Sequence, residues 1–228
     1  MSLDPSHKAR LTMRLADRFS GSSLFDAVGR AVCEAGCLPR KELYESWEMA
    51  RRVRRRMRGG RVVELAAGHG LLAHLLLLLD DGSPSALCID RRRPPGASRI
   101  SRAMVSRWPR LDGRLTYLER AVASSDDAEA VGLGPGDLVV SAHACGALTD
   151  RVLDLALEAR ARVAVLPCCH SLRASDSGSL EGWMPAELAI DASRAARLGA
   201  AGYRIFTLRI PKEITPKNRL LLGEPTSR

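Results

Sequence analysis

Histidine and cysteine side chains are concentrated in two short segments of the second half of the chain. The first is SAHACGALTD, residues 141–150, and the second is LPCCHS, residues 166–171. Each follows an apolar run that predicts a strand, so two neighbouring strand ends would bring the segments together. Imidazole accepts a proton near neutral pH, and a thiolate is a nucleophile. We therefore predict a catalytic cluster, which comprises His143, Cys145, Cys168, Cys169 and His170.

The same residue types allow two other interpretations. Cysteine and histidine bind zinc or iron, and a buried cysteine often serves only as a small apolar side chain. The spacing is not that of a zinc finger, and adjacent Cys168 and Cys169 cannot easily both ligate one ion alongside His170. We predict no metal site, and we expect all six cysteines to be reduced thiols.

A glycine turn lies earlier, in VVELAAGHG, residues 62–70. Gly68 and Gly70 allow a tight bend and a close approach of the backbone to a ligand, and a helix begins there. Asp90 ends the next predicted strand and can accept hydrogen bonds from ribose hydroxyls. The pattern also fits a dinucleotide site. A carboxylate at Glu64, however, suits a cationic sulfonium better than a pyrophosphate.

Both carboxylates have alternative structural roles. Glu64 could be a strand residue whose oxygens accept hydrogen bonds from backbone N–H groups. Asp90 could cap a helix or pair with the arginines at residues 91–93. We predict S-adenosylmethionine (SAM) as the cofactor, at a site that comprises Glu64, Ala66, Gly68, His69, Gly70, Asp90, Arg91, Ser141 and His143.

Short apolar strands alternate with helical segments after Gly59 and Gly60. Strands are predicted at residues 61–66, 86–89, 115–118, 137–142 and 163–166, with helices at 69–79, 97–108, 124–131 and 147–159. This alternation predicts an α/β fold with a doubly wound, mainly parallel sheet. The runs at 203–210 and 218–223 are joined by too few residues for a helical crossover, so they predict an antiparallel hairpin and seven strands in all.

Residues 6–58 have a helical pattern, with one apolar stripe that includes Leu43, Trp47 and Val53. We predict an N-terminal helical segment over residues 1–58 and a cofactor-binding domain over residues 59–228. The polar segment 171–190 is predicted to be a loop that covers the substrate.

The motifs resemble those of class I methyltransferases. Glu64, Gly68 and Gly70 give the form E-x-x-x-G-x-G, which resembles methyltransferase motif I, and a terminal antiparallel hairpin is typical of that class. HACGALTD, PCCHS and ITPKNRLLLG resemble the methyltransferase domain of tRNA acceptor-stem 2′-O-methyltransferases and of glutathione-transferase-C-terminal-domain-containing proteins. The resemblance implies that Glu64, Gly68, Gly70 and Asp90 contact SAM. It also implies an acceptor pocket lined by His143, Cys145, Thr149, Asp150, Cys168, Cys169 and His170.

The composition favours a nucleic-acid substrate. The net charge is +9, and arginines are clustered at residues 51–58 and 91–93, where they could bind phosphate. We predict methyl transfer to RNA, either tRNA or rRNA, at a ribose 2′-oxygen or a base, with His143 or His170 as proton acceptor. One alternative is an RNA cytosine-C5 methyltransferase with a cysteine nucleophile. Another is a non-catalytic protein of the same fold that binds SAM or RNA.

The chain lacks a long apolar run, and its first residues lack the apolar core of a signal peptide. We therefore expect a cytoplasmic protein with no membrane association.

Overall fold

The computed structural model describes residues 4–122 and 127–226. The helices are α1 (Leu24–Ala35), α2 (Arg40–Arg54), α3 (Leu71–Leu78), α4 (Ala97–Arg107), α5 (Asp127–Val131), α6 (Ala147–Glu158) and α7 (Ala186–Ala200). Short 3₁₀ helices cover Met13–Arg18 and Pro109–Leu111. The strands are β1 (Val62–Leu65), β2 (Ala86–Asp90), β3 (Leu115–Glu119), β4 (Leu138–Ser141), β5 (Arg162–Val165), β6 (Tyr203–Arg209) and β7 (Arg219–Pro225).

The strands form one seven-stranded sheet in the order β3-β2-β1-β4-β5-β7-β6. The first five run parallel, and β7 pairs antiparallel with both β5 and β6. Every residue of β1 and β4 is buried, as expected for central parallel strands that are covered on both faces. The predicted fold class, including the terminal hairpin, is confirmed.

The strand order changes direction between β1 and β4, which are neighbours in the sheet. The loops after these two strands leave on opposite faces of the sheet, so a crevice opens between them at the carboxyl edge. The glycine turn follows β1, and the histidine–cysteine segments follow β4 and β5. This topology puts the glycine turn and both histidine–cysteine segments at the carboxyl edge of the sheet.

The continuous helical pattern predicted for residues 6–58 is wrong in detail. Helix α1 begins after Ser23, whose Oγ accepts a hydrogen bond from the Asp26 N–H, and it ends at Gly36, which has a φ of 62°. Pro39 then precedes α2. These capping residues divide the region because a serine cap starts a helix and a left-handed glycine ends one.

The predicted loop at residues 171–190 is also shorter than expected. Turns occupy the chain after β5, but α7 already begins at Ala186 behind Pro185. The helix predicted at 124–131 is described only as α5, since residues 123–126 lie outside the described chain. No helix in the described ranges is both long enough and apolar enough to span a bilayer.

The N-terminal helices pack on one face of the sheet. Leu43 and Val53 of α2 share a buried core with Leu72 and Leu76 of α3. The opposite face is covered by a second core, to which α6 contributes Leu153. The domain boundary at residues 58 and 59 stays a prediction, and the apolar contacts continue across it.

Candidate active site

The glycine turn after β1 has an unusual backbone. Ala66, Gly68 and Gly70 all have positive φ, at 53°, 52° and 72°. A side chain at Gly70 would meet the Cys88 sulfur at 3.0 Å, whereas nothing lies within 4 Å of the position that a Cβ at Gly68 would take. Gly70 is therefore required for packing, and Gly68 leaves open space beside the backbone.

Two side chains hold the turn in place. The Asp90 carboxylate accepts a hydrogen bond from the Gly68 N–H at 2.9 Å, and the Tyr117 hydroxyl donates to the Gly68 carbonyl oxygen at 2.9 Å. A carboxylate has about four lone-pair sites, so Asp90 keeps capacity for further hydrogen bonds. Sequence analysis missed Tyr117. The alignment of Cys88 with Tyr117 in the β2–β3 pair was not available from the sequence pattern.

A cavity adjoins this turn and is lined partly by predicted site residues. It has a volume of about 240 Å³. The lining residues are Ala66, Asp90, Arg91, Arg120, Ala121, Val122 and Leu148. The cavity thus brings together the ends of β1 and β2 and the start of α6, which is where the sequence predicted the cofactor.

Glu64 is buried beneath the turn and is not among the residues that line the cavity. Its Oε2 accepts a hydrogen bond from the Ala73 N–H at 2.9 Å and lies 3.8 Å from the Cys88 sulfur. Burial raises the pKa of Glu64 to about 8. This is the structural alternative considered from the sequence, and it makes Glu64 a support for the first turn of α3.

His69 and Ser141 occupy the two flanks of the crevice. The His69 ring packs against Gly96, and burial lowers its pKa. Ser141 ends β4, and its buried Oγ has no hydrogen-bond partner among the residues that the structure describes. An unpaired buried hydroxyl costs free energy unless a bound group satisfies it.

His143 follows β4 and reaches solvent at the crevice. The residue is exposed, and partial desolvation by the neighbouring protein lowers the pKa of its imidazole. The charge of Glu45 opposes this shift and that of Lys41 adds to it. A lowered pKa keeps the imidazole neutral at pH 7, as a proton acceptor requires.

Helix α2 therefore contributes the charges of Glu45 and Lys41 to the surroundings of His143. Glu45 is buried and pairs with Lys41 at 3.0 Å. Burial, with a smaller contribution from Glu45, raises the pKa of Glu42 to about 7. Sequence analysis did not identify these residues, because the apolar stripe of α2 indicated only a packing role.

His170 is placed differently from His143. Its side chain is only 2% exposed, and its Nε2 lies 2.8 Å from Asp191 Oδ1 on α7. Asp191 also contacts Arg219 at 2.6 Å and Arg194 at 3.2 Å. His170 thus connects the chain after β5 to α7 and lies apart from solvent.

Thr149 and Asp150 make internal contacts in the same region. The Thr149 hydroxyl donates to the Ala144 carbonyl oxygen at 2.5 Å. Asp150 receives hydrogen bonds from Arg194 at 2.8 and 2.9 Å and from Ser175 at 2.8 Å. Burial opposes ionisation of Asp150, but these bonds prevail and lower its pKa.

The three cysteines converge at the carboxyl ends of β4 and β5. The Cys145 and Cys168 sulfurs are 3.0 Å apart, the Cys168 and Cys169 sulfurs 3.8 Å apart, and all three lie within 4.8 Å of one another. Adjacent Cys168 and Cys169 both place their sulfurs near that of Cys145, whereas His170 is not part of this group. Burial raises the pKa of the Cys145 and Cys168 thiols.

The two arginine clusters lie at opposite edges of the sheet. Arg91, Arg92 and Arg93 are exposed and directly follow Asp90 at the carboxyl edge. The other cluster ends beside β1, where the Arg58 carbonyl oxygen accepts a hydrogen bond from Arg162 of β5. That is the amino edge, remote from His143.

Arg54 of this second cluster is buried and has no surface role. It pairs with Asp80 at 3.1 Å and donates to Ser83 at 2.7 Å. The fully exposed members of the 51–58 run are Arg55, Arg56 and Arg58, and these could bind phosphate directly from solvent.

The sequence matches a known protein family. The sequence profile of a family described as a methyltransferase domain matches residues 41–175, which is well over half of the chain. The chain belongs to this methyltransferase family. No curated protein sequence matches it significantly.

Solved structures match this methyltransferase in fold. A protein from Corynebacterium glutamicum is 14% identical with a TM-score of 0.54, and the match covers 95% of this chain and 97% of that protein. Mitomycin 7-O-methyltransferase MmcR is also 14% identical, with a TM-score of 0.50 and coverage of 96% of this chain and 61% of MmcR. An O-methyltransferase structure from Nostoc punctiforme is 13% identical, with a TM-score of 0.50 and coverage of 92% and 66%. The methyltransferase thus spans less than two thirds of these two O-methyltransferases.

The chain is thus a methyltransferase-family protein with the class I fold, and the cofactor predicted from its sequence is S-adenosylmethionine. The turn fits this group on three observations. The space beside Gly68 is open, Asp90 has acceptor capacity beside the cavity, and the buried Ser141 hydroxyl lacks a partner among the described residues.

Proposed function

We propose that this methyltransferase acts on RNA and that His143 accepts the proton of the methyl acceptor. The observation that carries the proposal is the position of His143, which combines exposure to solvent at the crevice with a lowered pKa. SAM supplies an electrophilic methyl group, and the chain has to align the acceptor and remove its proton.

The cofactor would lie across the crevice from the glycine turn toward β4. Gly68 gives the backbone close access, Asp90 would accept the ribose hydroxyl hydrogens, and Arg91 lines the same cavity. Glu64 would act indirectly by fixing the start of α3 through Ala73. Of the predicted cofactor residues, we therefore assign Glu64 a positioning role.

His143 is favoured over His170 as the proton acceptor. The Nε2 of His170 is engaged by Asp191, and its side chain is almost fully buried. Neutral imidazole at pH 7 provides the acceptor that an RNA hydroxyl or base nitrogen needs, since general base catalysis contributes about 100- to 10,000-fold.

Charge and an exposed aromatic side chain support an RNA substrate. Arg91, Arg92 and Arg93 could bind phosphates at the carboxyl edge. Trp183, in the segment between β5 and α7, is 87% exposed, and Arg173 of the same segment is exposed. Single-stranded RNA is commonly recognised by stacking of its bases on such aromatic rings.

The cytosine-C5 alternative is less well supported by the site. It needs a thiolate that attacks the base, but burial raises the pKa of Cys145 and Cys168. A covalent adduct with RNA that contains 5-fluorocytosine, lost in Cys168→Ala or Cys169→Ala, would establish that alternative and contradict the role of His143.

Tritium transfer from [methyl-³H]SAM tests the proposal. The purified protein should label RNA from cells that lack the gene, and nucleoside mass spectrometry should identify the same methylated nucleoside as missing from those cells. SAM should raise the melting temperature, and NAD should not. Labelling of protein or small molecules but not RNA would contradict the substrate proposal, and no labelling of any pool would contradict the catalytic one.

A further inference from the structure

The three sulfur atoms at the carboxyl edge form a geometry suited to a soft metal ion. We propose that Cys145, Cys168 and Cys169 bind one zinc ion, with the fourth coordination position left open. The structure holds their ligand atoms within 4.8 Å of one another. This site is independent of the proposed RNA substrate, because it rests on the sulfur geometry alone.

One of the two sulfur–sulfur distances that involve Cys168 already equals the separation that a tetrahedral zinc ion requires, and the other is shorter. A Zn–S bond is about 2.3 Å, so two sulfurs on a tetrahedral zinc lie about 3.8 Å apart. The Cys168–Cys169 separation is already 3.8 Å, and that of Cys145 and Cys168, at 3.0 Å, is shorter. Small rotations of the Cys145 and Cys168 side chains would open the second distance without any movement of the strands.

The two segments that carry the cysteines are joined by the backbone. The Gly146 N–H donates to the Cys169 carbonyl oxygen at 3.2 Å, so the residues beside Cys145 and at Cys169 are held together. Arg194 donates to the Gly146 carbonyl oxygen at 3.2 Å, and His170 is anchored by Asp191. A metal site needs such outer contacts, because they fix the ligands before the ion arrives.

Access and charge also favour an ion. Cys145 and Cys169 are exposed and Cys168 is partly exposed, so an ion can enter from solvent. Helix α6 begins at Ala147, directly after Gly146, and its amino end carries a partial positive charge that stabilises neighbouring thiolates. Zinc would displace the thiol protons, which are released to solvent.

Three thiolates leave one tetrahedral position for water or for another ligand. Zinc sites that serve catalysis keep such an open position, whereas structural sites use four protein ligands. Cys145 itself lies in the loop after β4 that borders the crevice, two residues after His143. A ligand atom of the methyl acceptor could then bind zinc without displacing a protein ligand.

The test measures metal binding by the reduced full-length protein. After incubation with zinc chloride and removal of free metal, elemental analysis should find a single zinc ion per chain. Cobalt(II) should give a thiolate-to-cobalt charge-transfer band and the visible absorption of a tetrahedral site. Each of Cys145→Ser, Cys168→Ser and Cys169→Ser should weaken binding by more than the roughly 10–100-fold that loss of an outer contact costs.

Cys37→Ser is the matched control. Cys37 is buried and its sulfur contacts the Gly96 carbonyl oxygen, so this variant should retain zinc. A reduced wild-type protein that gives no cobalt band would overturn the proposal, as would full zinc retention by the triple variant. A Cys145–Cys168 disulfide that forms in the presence of excess zinc would also overturn it. SAM-dependent stabilisation, measured on the same samples, shows whether the cofactor site is intact, so failure of one proposal is distinguishable from failure of the other.

Discussion

The Oε2 atom of Glu64 lies 2.9 Å from the backbone nitrogen of Ala73, so a carboxyl group of β1 completes the first turn of α3. Free N–H groups at the start of a helix need acceptors, and burial removes water as an alternative. The same burial raises the pKa of Glu64 to about 8. The folded protein therefore favours the protonated form of this residue.

Glu64→Gln should make the protein less sensitive to alkaline pH. A carboxyl pKa that folding raises from 4.5 to about 8 favours the folded state below pH 4.5 and progressively loses that contribution as the pH rises to 8. The free energy of unfolding of Glu64→Gln, relative to wild type, should therefore increase by a few kcal/mol across this window. Urea unfolding at pH 5, 7 and 9 measures it, and a constant difference would contradict the assignment.

His143→Gln should remove one limb of the pH–rate profile. The pKa of His143 is lowered from 6.5, so wild-type activity should stay level near pH 7 and fall only when acid protonates the imidazole. The variant should lose roughly 100- to 10,000-fold in kcat, a much larger effect than any change in its affinity for SAM. Equal activity of variant and wild type at all pH values would exclude His143 as the proton acceptor.

Gly68→Ala should weaken SAM binding far more than it weakens the fold. Gly68 and Gly113 both have positive φ, at 52° and 68°, and at neither does any atom lie within 4 Å of the position that a Cβ would take. Each alanine variant should lose about 1–2 kcal/mol of stability through backbone strain. Isothermal titration calorimetry should show reduced SAM affinity only for Gly68→Ala. Equal affinities for the two variants would contradict a role of Gly68 in binding the cofactor.

Arg194→Gln should destabilise the protein strongly. Arg194 is 2% exposed and bonds both Asp150 and Asp191, so its loss leaves the partly buried Asp150 without its main partner, at a cost of up to about 3–5 kcal/mol. Arg197→Gln on the same helix removes a half-exposed pair with Asp154 and should cost under about 1 kcal/mol. Urea midpoints of the two variants provide the comparison.

Arginines at the two sheet edges should differ in their contribution to RNA binding. Replacement of Arg91 and Arg92 by glutamine should reduce the slope of log affinity against log salt by about 0.7 for each phosphate of single-stranded RNA that an arginine no longer neutralises. The matched replacement of Arg55 and Arg58, at the amino edge, should leave the slope nearly unchanged. Filter binding at several salt concentrations measures the slopes of the two double variants. Equal slopes would contradict RNA binding at Arg91 and Arg92.

The sheet could be predicted because its signals are local. Apolar strands of four to seven residues can be recognised in the sequence because glycine, proline and polar residues bound them. The connection between β6 and β7 is too short for a helical crossover, so these two strands must pair antiparallel. The glycine turn could also be predicted from the sequence, since Gly68 and Gly70 adopt a conformation that favours glycine.

Partners distant in sequence could not be predicted. The burial of Arg54 depends on Asp80, and the burial of His170 depends on Asp191, which lies on a helix that was not predicted. The effect of the Glu45 charge on the pKa of His143 depends on how α2 packs against the rest of the fold. Such contacts follow from the assembled fold, whereas residue type and spacing reveal only the local element.

The apolar contact between α2 and α3 has a practical consequence for work on fragments. Val53 and Leu43 are fully buried, in the same core as Leu72 and Leu76. A fragment that starts at Gly59 would expose Leu72 and Leu76 to water. Proteins with such newly exposed apolar surfaces tend to self-associate. Expression trials and crystallisation of the cofactor-binding half would therefore be best served by retaining the two preceding helices.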